Sequence, residues 1–453
     1  MPVDAADLKY IKMTTAPVKG LVCSFALPSI ICMLTTSIYN MADTFFVSRL
    51  NTQSIAAVGI VFSYMGIIQA ISFFFGHGSG NYISRELGAR RPDNAGTMAA
   101  TGLLSALITG LAAGLLCLLF EGPVLRFFGA TDTIMPYARR YFHFILLGTP
   151  FISGSIVLNN QMRLQGNARL SMIGILSGGL INVALDPLFI FKLGMGVAGA
   201  GLATAVSQML CFVLMLNLSG RGGGIRIRLA KFAPTGANYK EIAAGGLPSL
   251  ARQGLTFVSL ICLNNMAAKY GDATVASFSV ASRVMAIASA LLIGFGQGFQ
   301  PVCGFNFGAR KFDRLRKALR FTTLISTVYC TVFAIMAFVF SPQIINVFSG
   351  GDAELLGTGA RVLRFNCLSF PLCGIIIVSN MFLQNIRKTA DAVLVASARQ
   401  GLFFIPAVLI GNLVAGKSGL VAAQPVSDIF AFILCIPLFL RAYRGLDQSD
   451  FLQ

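Results

Sequence analysis

The 453-residue sequence contains no tryptophan, only two histidines and few charged residues. Aspartate, glutamate, lysine and arginine together make up 11% of the chain, whereas a soluble domain carries about 25%. Hydrophobic residues account for 55%, and the mean hydropathy is +0.75. This composition excludes a soluble enzyme, a disordered chain and a DNA-binding domain, and it indicates an integral membrane protein.

The formal net charge of +18 arises because only 17 acidic residues oppose 35 basic ones. An excess of this size is typical of a protein that binds nucleic acid or anionic lipid. Nucleic-acid binding needs lysine and arginine clustered on a solvated module. No segment of this sequence is long and polar enough to form one, so we expect no nucleic-acid partner.

Ten cysteines lie within apolar stretches or at their ends, and none forms a Cys-x-x-Cys pair. Imidazole ligands could come only from His77 and His143, so the spacing of a zinc site is missing. The thiols are therefore interpreted as buried small hydrophobes. No nucleophile–base pair can be named either, and we expect no catalytic residue, no metal site and no cofactor.

Twelve apolar stretches are long enough to cross about 30 Å of hydrocarbon, which takes about 20 residues as a helix. Continuous apolarity of this length argues against a β-barrel, whose strands alternate. The predicted fold class is therefore all-α, with twelve transmembrane helices. The stretches are 20–47, 55–76, 96–120, 142–160, 170–191, 197–218, 242–267, 274–300, 318–340, 362–382, 392–413 and 419–440.

The distribution of lysine and arginine predicts the orientation, because these residues are enriched in cytoplasmic loops. With the N-terminus inside, 23 of the 35 basic residues fall on the cytoplasmic side and 9 on the external side. We therefore predict a multi-pass protein of the plasma (cell inner) membrane with both termini cytoplasmic. The first span lacks a small-residue cleavage site and is too long for a signal peptide, so we expect it to be retained.

The two halves of the sequence resemble each other at an offset of 220 residues. That shift places Leu27-Pro28-Ser29 on Leu247-Pro248-Ser249, and it places Gly88-Ala89-Arg90 on Gly308-Ala309-Arg310. Around the fifth span of each half the offset is 219, and it returns to 220 in the sixth. Repeats of six spans share one orientation because six is an even number, so we predict parallel repeats.

This duplication predicts an N-lobe at 1–218, a cytoplasmic linker at 219–240 and a C-lobe at 241–453. The repeated Gly-Ala-Arg segment is typical of a turn that ends a helix, with glycine at the C′ position. Pro28 and Pro248 lie inside spans 1 and 7, where proline removes an amide donor and bends the helix. A hinge and a simple packing kink are both open interpretations of Pro28.

Six ionisable residues lie inside the predicted spans and away from the first residues of these spans, where a charge is costly and indicates function. Two of them, Arg399 and Asp428, lie near the middle of the membrane. An ion pair between these two is the first interpretation, and a substrate contact is the alternative. The sequence offers no partner for the two other arginines. The six residues are Asp43, Asp186, Arg252, Arg283, Arg399 and Asp428.

Asp43 and Asp186 lie near the external ends of spans 1 and 5, about 6–10 Å below the outer boundary. Thr204 in span 6 reaches a similar depth, and Asn182 shares a helix face with Asp186. Pro187 also frees a backbone carbonyl one turn before it. These groups at one depth predict a cation or proton site. The other interpretation of Asp186 is a helix-end acid that reaches the external interface.

The duplication favours a coupling role for these two acids. Asp43 aligns with Leu263 and Asp186 with Ile405, so the acids are confined to the first half. A purely structural feature shared by the repeats should occur in both halves. A group that carries a proton must be neutral in one state and charged in the other, and a buried carboxylate can meet that requirement.

With these residues in view, the chain resembles the multidrug and toxic-compound extrusion (MATE) family over roughly residues 15–445. The resemblance implies twelve helices in two lobes around a central cavity. It also implies alternating access that exports amphipathic, often cationic compounds, driven by an inward proton or sodium ion. The matching segments are LPSI at 27–30, NMADTFFVSRL at 40–50, GAR at 88–90 and 308–310, MRLQGN at 162–167, NVALDPLFIF at 182–191, GAGLATAVS at 199–207 and GQGFQPVCGFNFGARK at 296–311.

The resemblance also assigns roles to individual residues. Tyr39 and Asn159 look like polar cavity residues of the N-lobe, and Pro28 looks like the family proline whose bending accompanies protonation. Four residues look like the N-lobe cation site of the DinF-like branch: Asp43, Asn182, Asp186 and Thr204.

The sequence departs from the NorM-like branch, which places acids in the C-lobe. Span 7 here has Arg252 and Gln253, and span 10 has no acid, so protons at the N-lobe site are favoured over sodium as the coupling ion. A sodium-coupled exporter, a lipid-linked saccharide flippase of the same superfamily, and a receptor or scaffold without transport are the alternatives. We expect a monomer in the lipid bilayer that binds small-molecule drugs or organic cations.

Overall fold

The computed structural model describes residues 5–349 and 352–446, and these residues are mostly helical. Eleven stretches among them are long and apolar enough to cross a membrane. The last stretch, Thr389–Gly445, contains the final two predicted spans. They are separated at Gly416, where the backbone leaves helical geometry (φ 56°, ψ −132°). The predicted all-α membrane fold is therefore confirmed over the described residues.

The first half of the chain consists of a short N-terminal helix, six long helices and a short connecting helix between the third and fourth long ones. The seventh helix of this half continues into a π-helical turn, Leu188–Lys192. The helices are α1 (Ala5–Thr15), α2 (Val18–Ser48), α3 (Thr52–Gly88), α4 (Pro92–Leu119), α5 (Glu121–Phe127), α6 (Met135–Leu164), α7 (Ala168–Pro187) and α8 (Val197–Ser219).

The second half repeats this order of long helices, again with a short helix between the third and the fourth. Its fifth span is interrupted by a π-helical turn, Ala398–Leu402, so that it consists of a short helix, the turn and the start of the next helix. The helices are α9 (Gly236–Ala268), α10 (Asp272–Gly308), α11 (Phe312–Val339), α12 (Ser341–Ser349), α13 (Ala353–Asn385), α14 (Thr389–Ser397) and α15 (Phe404–Gly445).

The Gly-Ala-Arg turns end α3 and α10 with the same geometry. In both, the amide after the arginine donates across the helix end to a carbonyl of the last turn at 2.8 Å. Arg90 (φ 58°) in the first turn and Arg310 (φ 56°) in the second adopt the left-handed conformation. Gly88 and Gly308 are the last helical residues. The expectation of glycine at C′ is therefore wrong. The arginine conformation costs roughly 1–2 kcal/mol, and in Arg90 it places the guanidinium 4.3 Å from the ring centre of Tyr10.

The start of the last span in each half is also repeated. Gly196 (φ 59°, ψ −136°) and Gly416 have nearly identical backbone angles in a region that favours glycine. Three residues later, Gly199 and Gly419 face the backbone of the preceding span so closely that a Cβ atom would not fit. The predicted spans 5–6 and 11–12 are thus packed together through glycine backbone in both halves.

The chain packs as two compact units. Among the described residues, the first contains 5–16 and 31–246, and the second contains 17–30, 247–349 and 352–446. Helix α2 therefore changes unit two residues after Pro28, and α9 changes unit immediately before Pro248. Both helices continue through their prolines. The division into repeats at 1–218 and 241–453 stays a prediction.

Each unit has its own apolar core. Tyr64, Phe142 and Met98 belong to the buried clusters of the first unit, and Phe370 belongs to that of the second. Large apolar side chains also cover the outside of both units, such as Leu413, which is 83% exposed. A continuous apolar surface is unfavourable in water, and it is the surface expected of helices that face lipid.

The predicted linker at 219–240 packs along the first unit. Lys231 forms an ion pair with Asp93 at the start of α4, with a distance of 2.9 Å between Nζ and Oδ1. The hydroxyl of Tyr239 is hydrogen-bonded to that of Ser105 in the middle of α4, also at 2.9 Å. The segment is therefore an ordered part of this unit.

Candidate functional site

The four residues predicted to bind a cation lie together in the first unit, on three helices. Asp43 comes from α2, Asn182 and Asp186 from α7, and Thr204 from α8. Asn182 and Asp186 are one turn apart on a buried face, 3% and 0% exposed. The amide of Asn182 donates to Oγ1 of Thr204 at 3.5 Å, and Asp43 is close enough to Asp186 for their charges to interact. Residues up to 161 positions apart in the sequence thus form one polar cluster.

Tyr141 of α6 completes this cluster, and the sequence did not single it out. Its side chain is 1% exposed, and its hydroxyl interacts with Asp43 and with Thr204. The fourth apolar stretch was predicted to begin at residue 142, so Tyr141 was placed outside the membrane. Helix α6 begins at Met135, which puts Tyr141 in its second turn and inside the core. In the sequence, the only indication of a role for Tyr141 is that it lies at about the same depth as Asp43.

The cluster contains more hydrogen-bond acceptors than donors. Within the described chain, both carboxylate oxygens of Asp186 lack a partner, as do Oδ1 of Asp43 and Oδ1 of Asn182. No basic side chain among the described residues forms an ion pair with Asp43 or Asp186. Buried oxygens without donors are costly, and oxygen atoms are the ligands that hard cations prefer. The arrangement is therefore suited to bind a proton or a small hard cation.

Tyr39 lies beside this cluster on α2, one helical turn before Asp43. It is half-buried, and its ring packs against Gly179 of α7, where an added Cβ would be 3.5 Å from Cδ1. The charge of Asp43 acts on its hydroxyl. Tyr39 thus lies where α2 packs on α7, one turn from Asp43.

Asn159 lies apart from the cluster. Its amide donates to the hydroxyl of Ser171 near the start of α7. The 18 residues that separate it from Tyr141 correspond to about 27 Å along α6. Pro28 is also distant, because the 15 residues that separate it from Asp43 correspond to about 22 Å along α2. Asn159 and Pro28 can therefore act only at a distance from Asp43 and Asp186.

The charges of the second half form a different arrangement. Nε of Arg399 donates to Oδ1 of Asp428 at 2.8 Å, so the expected ion pair is present. Arg252 is half-buried and Arg283 is exposed, and their guanidinium groups have no hydrogen bond or ion pair to other described residues. Of the four ionisable residues predicted inside the spans of this half, two therefore form an ion pair, and two are cations without a hydrogen bond or ion pair among the described residues.

We expect the Tyr141→Phe variant to export a fluorescent cationic dye about 10-fold more slowly than the wild type. The hydroxyl connects Asp43 to Thr204, and a hydrogen bond to a charged group contributes about 1.5–3 kcal/mol. Initial efflux rates from loaded cells, normalised to the amount of folded protein, would measure the effect. Tyr137→Phe, one turn earlier on α6, is the matched control. Equal rates for Tyr141→Phe and the control would contradict the prediction.

Comparison with known proteins agrees with this architecture. A family model described as MatE matches residues 28–188 and again residues 248–410. The two matches begin 220 residues apart, which is the offset of the internal duplication. They cover most of the chain and contain Asp43 and Asp186 but not Thr204 or Asp428.

Relatives and solved structures resemble the chain over nearly its whole length. It is 27% identical to the multidrug export protein MepA of Staphylococcus haemolyticus over 435 residues, 95% of each chain. It is 26% identical to MepA of Staphylococcus aureus over 444 residues, 97% of each. A multidrug resistance MATE family transporter, solved in an outward-facing conformation, superimposes with a TM-score of 0.90 at 25% identity, over 97% of this chain and 98% of that one. The chain therefore belongs to the MatE family, whose members are membrane transporters and not enzymes.

Proposed function

We propose that the chain is a secondary active multidrug efflux antiporter, which exports amphipathic, often cationic compounds in exchange for protons by alternating access. The observation that carries this proposal is the pair of acids, Asp43 and Asp186: both oxygens of Asp186 and Oδ1 of Asp43 are buried and lack a donor in the described chain. Ionised groups in such a place must take up a proton or a cation. Resemblance to proteins named for multidrug export supports the class of substrate.

In this proposal, Asp43 and Asp186 bind and release the coupling ion, and three neighbours position them. When the acids are protonated, α2 and α7 pack without repulsion between charges. When they are ionised, the two negative charges repel each other and attract a cationic compound. The hydroxyl of Tyr141 interacts with Asp43, and the amide of Asn182 donates to Thr204. Protonation thus favours one arrangement of α2 and α7 over the other, as coupling requires.

The geometry also supports a role for Pro28 and an external origin of the proton. Helix α2 packs in the second unit up to Ile30 and in the first unit from Ile31, just after Pro28. A bend there would move Tyr39 and Asp43 without disturbing the second unit. With both termini cytoplasmic, Asp43 and Asp186 lie near the external ends of their spans. We propose that the protein works in this orientation as a monomer in the plasma membrane.

The decisive experiment measures uptake of a fluorescent cationic dye into proteoliposomes under separately imposed proton and sodium gradients. We expect uptake with a proton gradient alone and none with a sodium gradient alone. Vesicles that contain the Asp186→Asn variant serve as the control for dye that merely partitions into lipid. Uptake driven by sodium without a proton gradient would overturn our choice of ion, since the same oxygens could bind sodium.

A second candidate is favoured by the two free arginines of the second unit. Arg252 and Arg283 lie within α9 and α10, and unpaired cations there would suit an anionic ligand such as a lipid-linked saccharide. A flippase of that kind would move a fluorescent lipid-linked saccharide between leaflets of the same vesicles. Flipping without dye transport would replace the efflux proposal.

A further inference from the structure

The proposed function does not use the buried polar cluster around Asp428 in the second unit. Asp428 on α15 is 1% exposed. Its Oδ1 accepts hydrogen bonds from Nε of Arg399 and from Nε2 of Gln424, each at 2.8 Å. Its Oδ2 accepts from Oγ of Ser369 on α13 at 2.7 Å, with the thiol of Cys373 at 3.7 Å. Both carboxylate oxygens are therefore satisfied.

This cluster lies on the fourth, fifth and sixth spans of its repeat, which in the first unit are the spans that carry Tyr141, Asp186 and Thr204. At the offset of 220 residues, Gln424 aligns with Thr204, which contacts Asn182 at the candidate cation site. At the offset of 219 that applies to the fifth span, Arg399 aligns with Leu180 of α7. The same three spans of each repeat thus surround a buried carboxylate. In the first unit the carboxylates lack a counter-charge, and in the second a guanidinium supplies it.

The backbone holds Arg399 firmly in this position. It lies in the π-helical turn Ala398–Leu402, and such turns are common at functional sites. Its carbonyl accepts a hydrogen bond from Oγ of Ser427 at 2.6 Å. Gly401 in the same turn packs directly on Leu255 of α9. The guanidinium is therefore fixed next to Asp428 by contacts on both sides of the turn.

We propose that the guanidinium of Arg399 is a built-in cation that fills a monovalent-cation site of the second unit, formed by Asp428, Ser369 and Gln424. Carboxylate, hydroxyl and amide oxygens together are the ligands that a hard cation such as sodium takes. Because Arg399 is covalently attached, it cannot be exchanged during a transport cycle. The second repeat thereby keeps a cation site but cannot use it for coupling.

The proposal predicts what happens when the built-in cation is removed. In the Arg399→Gln variant, Asp428 remains buried with only neutral donors around it. A buried carboxylate without a counter-charge must acquire a cation or a proton. Above the pH at which protons compete, sodium should bind there and stabilise the folded variant, since a ligand that binds only the folded state raises its stability.

The test compares unfolding temperatures of purified proteins in sodium chloride and in choline chloride at equal ionic strength and mildly alkaline pH. We expect sodium to raise the unfolding temperature of Arg399→Gln by about 3–8 °C more than that of the wild type. The double variant Arg399→Gln/Asp428→Asn should show no such gain. Sodium binding in the first unit would affect all three proteins equally, so it does not contribute to the differences.

One further protein variant and one further observation keep the outcome decisive. Arg399→Lys keeps a tethered cation and should respond to sodium as the wild type does. If Arg399→Gln folds only when sodium is present during purification, the proposal is supported. Equal unfolding temperatures of Arg399→Gln in both salts, an equal gain in the double variant, or misfolding of Arg399→Gln in both salts would overturn it. None of these results depends on transport, so they leave the proposed function to its own test.

Discussion

Asn in place of Asp186 is expected to reduce dye efflux to the level of cells without the transporter, while the protein still folds. Asp186 is completely buried, and neither of its oxygens has a hydrogen-bond partner in the described chain. Asparagine keeps the shape of the side chain but cannot ionise, so the site cannot alternate between a charged and a neutral state. The substitution removes no hydrogen bond or ion pair seen here, so the unfolding temperature should stay the same or rise.

The same result is expected for Asp43→Asn, because Asp43 is close enough to Asp186 for their charges to interact and belongs to the same proposed site. Efflux of a fluorescent cationic dye, at matched amounts of membrane-inserted protein, is the measurement. Asp132→Asn is the matched control, because Asp132 is 92% exposed and pairs with Arg126 at the surface. Efflux at the wild-type rate from Asp43→Asn or Asp186→Asn would refute the coupling role of that acid.

The Gly419→Ala substitution should have the largest effect on folding. An added Cβ would overlap the carbonyl oxygen of Gly411, a backbone atom that cannot rotate away. Overpacking of side chains costs about 1–3 kcal/mol, and a clash with backbone should cost about 3 kcal/mol or more. We expect little monodisperse protein on size-exclusion chromatography in detergent, and a lowered unfolding temperature for whatever folds.

The matched control for this prediction is Gly254→Ala on α9, where an added Cβ meets nothing within 4 Å. Alanine is a better helix former than glycine, so this variant should be about 0.5–1 kcal/mol more stable. Gly199→Ala tests the equivalent position of the first repeat, where the Cβ would be 2.7 Å from the carbonyl oxygen of Phe189. An unchanged unfolding temperature for Gly419→Ala would show that the close packing of spans 11 and 12 is not required.

Most of the fold could be predicted because a bilayer imposes its own pattern on the sequence. Long apolar runs need helices, and the repeated Gly-Ala-Arg turns and glycine positions show the duplication. Details of helix ends were harder to predict. Arg90 and Arg310, rather than the neighbouring glycines, take the left-handed conformation. That choice depends on how each helix end packs, because residues other than glycine also reach this conformation at a small cost.

The candidate site could be predicted only in part. Asn182 and Asp186 share a face because they are one turn apart in α7, and that periodicity is visible in the sequence. Tyr141 was missed because the apolar pattern of α6 begins after it, although the helix itself begins at Met135. Whether a tyrosine hydroxyl meets an acid depends on which faces of α2 and α6 pack together, and no local pattern records that.

The sequence by itself determined that the chain is a helical membrane protein with two repeats and that Asp43 and Asp186 occur only in the first of them. These features follow from composition and from short-range periodicity. The tertiary structure alone decided which acids have partners. Asp428 is neutralised by Arg399, whereas Asp43 and Asp186 are left with unpaired oxygens among the described residues. The physical reason is that the free energy of a buried charge depends on the groups that surround it, and here these groups come from helices far apart in the sequence.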